Sequence, residues 1–82
     1  MTDTQWKLFV QNLHVGHKHD TNADYLHAMV SRIYLTFPDA KIEESLAGHN
    51  GRMVHAVRAV CGEHELGFYV ELPLTGKWNG KA

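Results

Sequence analysis

Histidine is the residue type in this sequence that most suggests chemistry, because it accounts for 7 of the 82 residues. His14, His17 and His19 lie close together and are followed directly by Asp20. Alternate residues of an extended chain point to the same side, about 6.6 Å apart along the backbone. Imidazole nitrogens and carboxylate oxygens are both zinc ligands. The cluster of His14, His17, His19 and Asp20 is therefore a candidate site for zinc or another divalent metal.

A plainer interpretation of this cluster is a solvated polar loop that happens to contain histidines. Its spacing matches no stringent zinc signature of paired Cys-x2-Cys and His-x3-His, and small metal-binding domains usually recruit several cysteines. We therefore predict a protein without a cofactor, and we keep zinc or another divalent metal at these four residues as the alternative.

The remaining reactive side chains form no catalytic arrangement that the sequence can reveal. Cys61 is the single cysteine, and we interpret it as a small buried apolar residue rather than as a thiolate paired with His55 or His64. Glu43 and Glu44 are adjacent, so in a strand their carboxylates point to opposite faces. These residues favour a non-enzymatic protein.

An enzyme remains as a third hypothesis. It would use His17, His19 or His55 in acid–base catalysis, with the site completed at an oligomer interface because a chain of this size encloses little space. A homo-oligomer is compatible with the sequence.

Arginine and exposed aromatic side chains suggest a different activity, since protein interfaces and their hot spots favour both residue types. Arg52, Arg58, Tyr69 and Trp78 are the candidates for contact with a protein partner. The net charge is −1, from 8 basic and 9 acidic residues, and no basic stripe follows the chain, so a nucleic-acid partner is less favoured. The predicted function is that of a small inhibitor, adaptor or regulator, of the kind found among accessory, phage or mobile-element proteins, which docks on another protein.

Composition limits the class of protein further. With 44% hydrophobic and 21% charged residues, the chain resembles an ordinary globular protein. A lone cysteine permits no intrachain disulfide, and no apolar run approaches the roughly 18 residues of a membrane span. We expect a soluble, cytoplasmic protein with no membrane partner. We further expect one domain over residues 1–75 and a loosely held tail over 76–82.

The N-terminal segment predicts a strand. Over residues 5–15, Trp6, Leu8 and Val10 alternate with other side chains, as expected for a strand with one apolar face. Gly16 ends this segment.

The following segment predicts a helix over residues 22–36. Thr21 and Asp24 have the spacing of a capping box, and Pro38 ends the run because the residue before a proline avoids the helical region. The apolar residues at helical spacing are Leu26, Met29, Val30, Ile33 and Phe37.

A β-hairpin is predicted next. Residues 41–46 form a short strand with Ile42 and Leu46 facing inward, and Asn50-Gly51 is a strong signal for a two-residue turn. Such a turn places Glu43 opposite Arg58 in a pair of opposite charge. In the alternative, residues 52–61 form a helix, and the glycine-containing loop before them lies at its N-terminus, where an anion site is more favoured than in a hairpin turn.

The last strand is predicted over residues 65–74, where leucine, phenylalanine and valine alternate with outward residues. The fold class is therefore α+β with the order β-α-β-β-β, one mostly antiparallel sheet and a single helix on one face. The alternative order is β-α-β-α-β, with residues 52–61 helical. The predicted core contains Leu26, Met29, Ile33, Phe68, Val70 and Leu72.

Overall fold

A computed structural model of the chain describes residues 1–15 and 20–78. Two helices precede three strands that form one antiparallel sheet in the order β1-β2-β3. The elements are α1 (Asp3–Leu13), α2 (Asn22–Thr36), β1 (Lys41–His49), β2 (Arg52–Cys61) and β3 (His64–Glu71). The α+β class is confirmed, while the order of elements is α-α-β-β-β.

The prediction of a strand over residues 5–15 is wrong, because this segment forms helix α1. Trp6, Phe9, Val10 and Leu13 have the i, i+3, i+4, i+7 spacing of a helix face. The alternation of Trp6, Leu8 and Val10 fits a strand equally well over a short window. Leu13 is buried, and Trp6 and Phe9 pack against the core. The sheet is therefore covered by two helices rather than by the single predicted helix.

A capping box begins α1 and explains why the helical pattern prevails. The Oγ1 atom of Thr2 accepts a hydrogen bond from the Gln5 backbone N–H at 3.1 Å, and the Gln5 side chain accepts one from the Thr2 N–H at 2.8 Å. Two donors that a helix start would leave unpaired are thus satisfied by local residues.

Arg32 of α2 joins the two helices. Its guanidinium donates hydrogen bonds to the carbonyl groups of Asn12, Leu13 and Val15 at 3.3, 3.3 and 2.8 Å. Carbonyls at the C-terminal end of a helix lack partners within the helix and carry partial negative charge, so a cation binds there favourably. Arg32 is consequently a structural residue of the helical layer.

The predicted helix over residues 22–36 is confirmed as α2. Thr21 caps it by accepting a hydrogen bond from the Asp24 N–H at 3.1 Å. The chain after β3 returns to the same helix end, where Thr75 accepts hydrogen bonds from the N–H groups of Asn22 and Ala23 at 2.8 and 2.9 Å. Gly76 follows with a φ of 78°, and a side chain at this position would collide with Thr21.

The predicted hairpin is also confirmed, and the helical alternative for residues 52–61 is wrong. Asn50 and Gly51 adopt positive φ values of 51° and 77°, as a tight hairpin turn requires. The predicted pair of Glu43 with Arg58 lies in register. With residues 52–61 in a strand, the loop before them has no helix N-terminus with which to bind an anion.

The sheet has an inner face toward the helices and an outer face away from them. Five of the six predicted core residues are buried, and Leu72 is half-buried because β3 ends before it. Leu46 lies on the inner side as predicted but is 65% exposed, since the helices do not extend over this part of β1. No helix in the described ranges is long and apolar enough to cross a membrane.

Candidate functional site

The outer face of the sheet is the main surface on which the described chain presents polar and aromatic residues together. Alternation along each strand determines which side chains it carries. They are Lys41, Glu43, Ser45, Ala47 and His49 of β1, Arg52, Val54, Ala56, Arg58 and Val60 of β2, and Glu65, Gly67, Tyr69 and Glu71 of β3.

Small residues occupy the centre of this face and produce a groove. Ser45 lies opposite Ala56, and Gly67 lies opposite Arg58 on the next strand. Together with Ala47 these residues form the floor of an open depression of about 480 Å³. We call it the outer groove, with Ser45, Ala47, Ala56 and Gly67 as its floor. The short side chains leave space for a group from another molecule.

Two rings form one wall of the outer groove. His49 of β1 and Tyr69 of β3 approach with ring centroids 4.4 Å apart. Because β1 and β3 are separated by β2, the two rings meet above β2. Val54 lies on this face with only 3% of its surface exposed. The two rings therefore shield the Val54 side chain on an otherwise open face.

Charged residues form the opposite wall. Arg58 binds Glu43 at 3.3 Å and also forms a short hydrogen bond with Glu65. The hydrogen bond and charge of Glu65, with smaller contributions from Glu43, raise the pKa of the Arg58 guanidinium. Arg58 is thus a permanent cation held between two carboxylates. Arg52 and Glu71 form a longer contact of 3.9 Å near the hairpin turn.

The four residues predicted to contact a protein partner divide between two surfaces. Arg52, Arg58 and Tyr69 all lie on the outer face. Trp78 lies on the inner side, where its indole N–H donates a hydrogen bond to Glu44 Oε1 at 2.5 Å. Its ring also packs against the His27 ring, with the two centroids 4.7 Å apart. Trp78 thus fastens the segment after β3 to the body of the protein.

Glu44 is the centre of a polar cluster on the inner side that sequence inspection missed. His55 Nε2 lies 2.7 Å from the same Oε1 atom that accepts the hydrogen bond from Trp78. The Glu44–Trp78 contact spans 34 positions in sequence, so no local pattern indicates it. A catalytic role for His55 stays a prediction, and the contacts of Glu44 are those of a structural fastening.

His49 was also missed, although a signal for it exists. The register implied by Asn50-Gly51 places His49 opposite Arg52, and strand alternation then assigns both to the face that carries Tyr69. Combining hairpin register with alternation would therefore have placed His49 on the outer face.

The candidate metal residues are only partly within the described ranges. His17 and His19 lie outside them, while His14 and Asp20 are exposed. His14 Nδ1 lies 3.4 Å from the hydroxyl of Tyr25. Among the described residues, no group of three or more His, Cys, Asp or Glu side chains is placed to hold a metal ion. Metal binding by His14, His17, His19 and Asp20 stays a prediction.

Cys61 lies in the core with 1% of its surface exposed, as predicted for a small apolar residue. Burial raises the pKa of its thiol, which disfavours the nucleophilic thiolate.

Comparisons with protein-family models, with curated proteins and with solved structures found no match to this chain. Inferences about function therefore depend on the chemistry of the outer face itself.

Proposed function

We propose that this chain is a non-enzymatic binding protein that docks on another protein through the outer face of its sheet. The observation that carries the proposal is the outer groove, a depression with a floor of small residues between an aromatic wall and a charged wall. Roles as an inhibitor, an adaptor or a regulator all use such a surface, and we place the activity in the cytoplasm, as the single cysteine favours.

The charges of the outer face favour a protein over a nucleic acid. Lys41, Arg52 and Arg58 are balanced by three glutamates on the same face, two of which form ion pairs with Arg58. Binding to a phosphate backbone requires an excess of cations. A surface with both signs instead complements a protein surface with both signs, which sets register and specificity.

The expected partner inserts an apolar side chain into the outer groove. Ala47, Ala56 and Gly67 provide an apolar floor, and Tyr69 and Arg58 belong to the residue types that supply most binding energy at protein interfaces. Arg52, Arg58, Tyr69 and His49 are the proposed contact residues. Trp78 acts at a distance by holding the segment after β3 in place.

Filling the groove tests this proposal without disturbing the core. A Cβ atom at Gly67 would meet only the Val57 carbonyl oxygen, at an ordinary 3.6 Å. Arg58 lies directly opposite Gly67, but the two carboxylates that bind Arg58 offset a second cation there. Gly67→Arg is therefore expected to fold and to block the groove. Ser31→Arg adds the same charge at an exposed position of α2 and is the matched control. Both variants are first compared with the wild type by circular dichroism and thermal melting.

The measurement is quantitative affinity capture from extracts of the cells in which the protein occurs. We expect Gly67→Arg to lose at least about 10-fold of the specifically captured partner, since a hot spot contributes about 2 kcal/mol or more. Ser31→Arg should capture as the wild type does. Equal capture by all three proteins would show that the outer groove is not the docking site.

Alanine variants separate this function from the rival hypotheses. If the chain docks through the outer face, Arg58→Ala and Tyr69→Ala should capture less partner while they keep the native melting temperature. A loss of activity confined to alanine variants of His17, His19 and His55 would instead favour a metal-binding protein or an acid–base enzyme and would overturn the proposed class.

A further inference from the structure

The two edges of the sheet differ in how their ends nearest the hairpin turn are protected. At the β3 edge, the Asn22 side chain donates a hydrogen bond to the Glu71 carbonyl at 2.7 Å, and the chain beyond β3 turns onto α2. At the β1 edge, none of the residues that the structure describes pairs with the strand. Unpaired strand edges are templates for another strand.

The second half of β1 also lacks the features that usually prevent pairing. Proteins block edge strands with lysine, proline, inward-pointing charges or bulges. Lys41, Glu43 and Glu44 lie in the first half of β1, whereas the stretch Ser45–Gly48 contains no charge and no proline. Within residues 1–15 and 20–78, which the structure describes, this half of the edge is left open to another strand.

An exposed apolar pair lies beside the open stretch. Leu46 and Met53 are 65% and 53% exposed. They lie on the inner side of adjacent strands, where Leu46 is opposite His55 and Met53 is opposite Gly48. The diagonal arrangement places the two side chains within reach of each other, and together they form an apolar surface next to the β1 edge.

We propose that β1 pairs antiparallel with β1 of a second copy of this chain, about a twofold axis at Leu46. The two three-stranded sheets then form one continuous six-stranded sheet. The proposal does not depend on the docking function assigned to the outer face.

Complementarity of the strand with itself favours an axis at Leu46 over one at Glu44 or Ser45. With the axis at Leu46, the two leucines face each other, Glu43 faces His49, and Ser45 faces Ala47, so no like charges are opposed. An axis at Glu44 would place two carboxylates opposite each other, which is unfavourable. An axis at Ser45 would place Glu44 against Leu46 and Lys41 against His49.

The backbone is compatible with the same register. Residues that flank a two-residue turn form a hydrogen-bonded pair, and hydrogen-bonded and non-bonded pairs alternate from there. Because His49 and Arg52 flank the turn, the even-numbered residues of β1 direct their N–H and C=O groups outward. An axis at Leu46 places Leu46 opposite Leu46 of the second copy, and Glu44 opposite Gly48 of the second copy. The backbone N–H and C=O groups of all three residues point outward, so these pairs can form hydrogen bonds.

Pairing in this register has consequences on both faces. On the inner side, the two Leu46 side chains cover each other, and each lies beside the Met53 side chain of its own copy. On the outer side, Ser45 and Ala47 meet their counterparts, so the small-residue floors of the two outer grooves become continuous across the axis. The second copy thus contributes residues to an enlarged groove.

Sedimentation equilibrium of the purified wild-type protein and two variants tests the dimer. Leu46→Arg places two guanidinium groups opposite each other at the axis. Leu35→Arg makes the same change on α2, at a side chain that is 83% exposed, and serves as the control. We expect a dimeric wild type and control, and a dissociation constant at least about 100-fold higher for Leu46→Arg.

Cysteine cross-linking tests the register. Directly opposite residues in antiparallel strands have Cα atoms about 4.5–5.5 Å apart, which suits a disulfide. Leu46→Cys is therefore expected to form a disulfide-linked dimer on mild oxidation, whereas Leu35→Cys stays monomeric under denaturing, non-reducing conditions. A mixture of Ser45→Cys and Ala47→Cys should give the mixed dimer in preference to either homodimer.

Two outcomes would overturn the proposal: a wild type that is monomeric at all accessible concentrations, or a dimer that Leu46→Arg does not weaken. Gly67→Arg distinguishes this failure from a failure of the docking function. Gly67 lies on β3, two strands away from the proposed axis, so Gly67→Arg should leave the dimer intact while it blocks the partner.

Discussion

The two faces of the sheet are made by the same three strands and yet differ in how far they are covered. On the inner face, Val57 and Phe68 are buried beneath the helices. On the outer face, the residues beside them in sequence, Ala56 and Gly67, leave an open groove. The side that the helices cover accounts for most of the buried apolar side chains, so the other side is free to carry the proposed docking residues. Mutations that destabilise the protein should therefore be concentrated on one face, and mutations that affect docking on the other.

The largest expected effect is the loss of a core side chain. Leu26→Ala removes a fully buried side chain of α2 and should lower the free energy of unfolding by about 2–5 kcal/mol. A small domain has only about 5–15 kcal/mol in total, so urea unfolding should show a clearly lower midpoint. Leu35→Ala, the same change at an 83% exposed position of the same helix, should stay within about 0.5 kcal/mol of the wild type. Similar losses for both would contradict the burial of α2.

A second pair of variants compares the two faces of β2 directly. Val57 and Val54 are 2% and 3% exposed, but Val57 is covered by the helical layer and Val54 by the rings of His49 and Tyr69. Val57→Ala should cost about 2 kcal/mol from lost transfer energy and a cavity. Val54→Ala should cost about half as much, because the two rings lie at the surface and can move into the space. Equal costs in urea unfolding would mean that the rings form a second rigid core.

Regular patterns made much of the fold predictable from the sequence. The helix over residues 22–36 has a cap, a periodic apolar stripe and a terminating proline, and these three signals agree. The turn at Asn50-Gly51 fixes the register of the hairpin because both positions favour positive φ. The first element was mispredicted because its apolar residues fit both periods. The capping box from Thr2 to Gln5 was the signal that distinguishes them.

The candidate site was predictable residue by residue but not as a surface. Strand alternation and hairpin register are sufficient to place Arg52, Arg58 and Tyr69 on one face. The outer groove depends on small residues from all three strands lying side by side, which requires the register of β3 as well. The position of Trp78 depends on Glu44, a contact distant in sequence. The exposure of Leu46 depends on how far the helices reach over the sheet.

A smaller effect on the free energy of unfolding is expected for Glu44, which faces the inner side of β1, than for the core side chains. Its neighbour Glu43 faces the outer side and serves as the comparison. Glu44→Ala leaves the ring N–H groups of His55 and Trp78 without their acceptor. We expect a loss of about 1–2 kcal/mol, because the cluster is partly open to water. Glu43→Ala removes only an exposed contact with Arg58 and should leave the unfolding midpoint unchanged within error. An equal response to the two changes would show that the inner cluster does not fasten the segment after β3.

The smallest effect concerns the ionisation of Cys61 on the inner face. Burial raises the pKa of this thiol, so with rising pH the unfolded chain loses its thiol proton before the folded protein does. The folded state then binds more protons than the unfolded state, and the free energy of unfolding should fall slightly as the pH rises above about 8.5, the value for a free cysteine. Cys61→Ala removes the group while it leaves other titrating residues in place. The difference between the two pH profiles, measured by urea unfolding, isolates the contribution of the thiol.

A thiol on the exposed side of α2 provides the matching control. Ser31→Cys in the Cys61→Ala background places an exposed thiol away from the sheet. Because water solvates this thiolate equally in the folded and unfolded states, its ionisation should not change the free energy of unfolding. The double variant should therefore follow the pH profile of Cys61→Ala. A wild-type profile parallel to that of Cys61→Ala over the same pH range would contradict the burial of the Cys61 thiol beneath the helices.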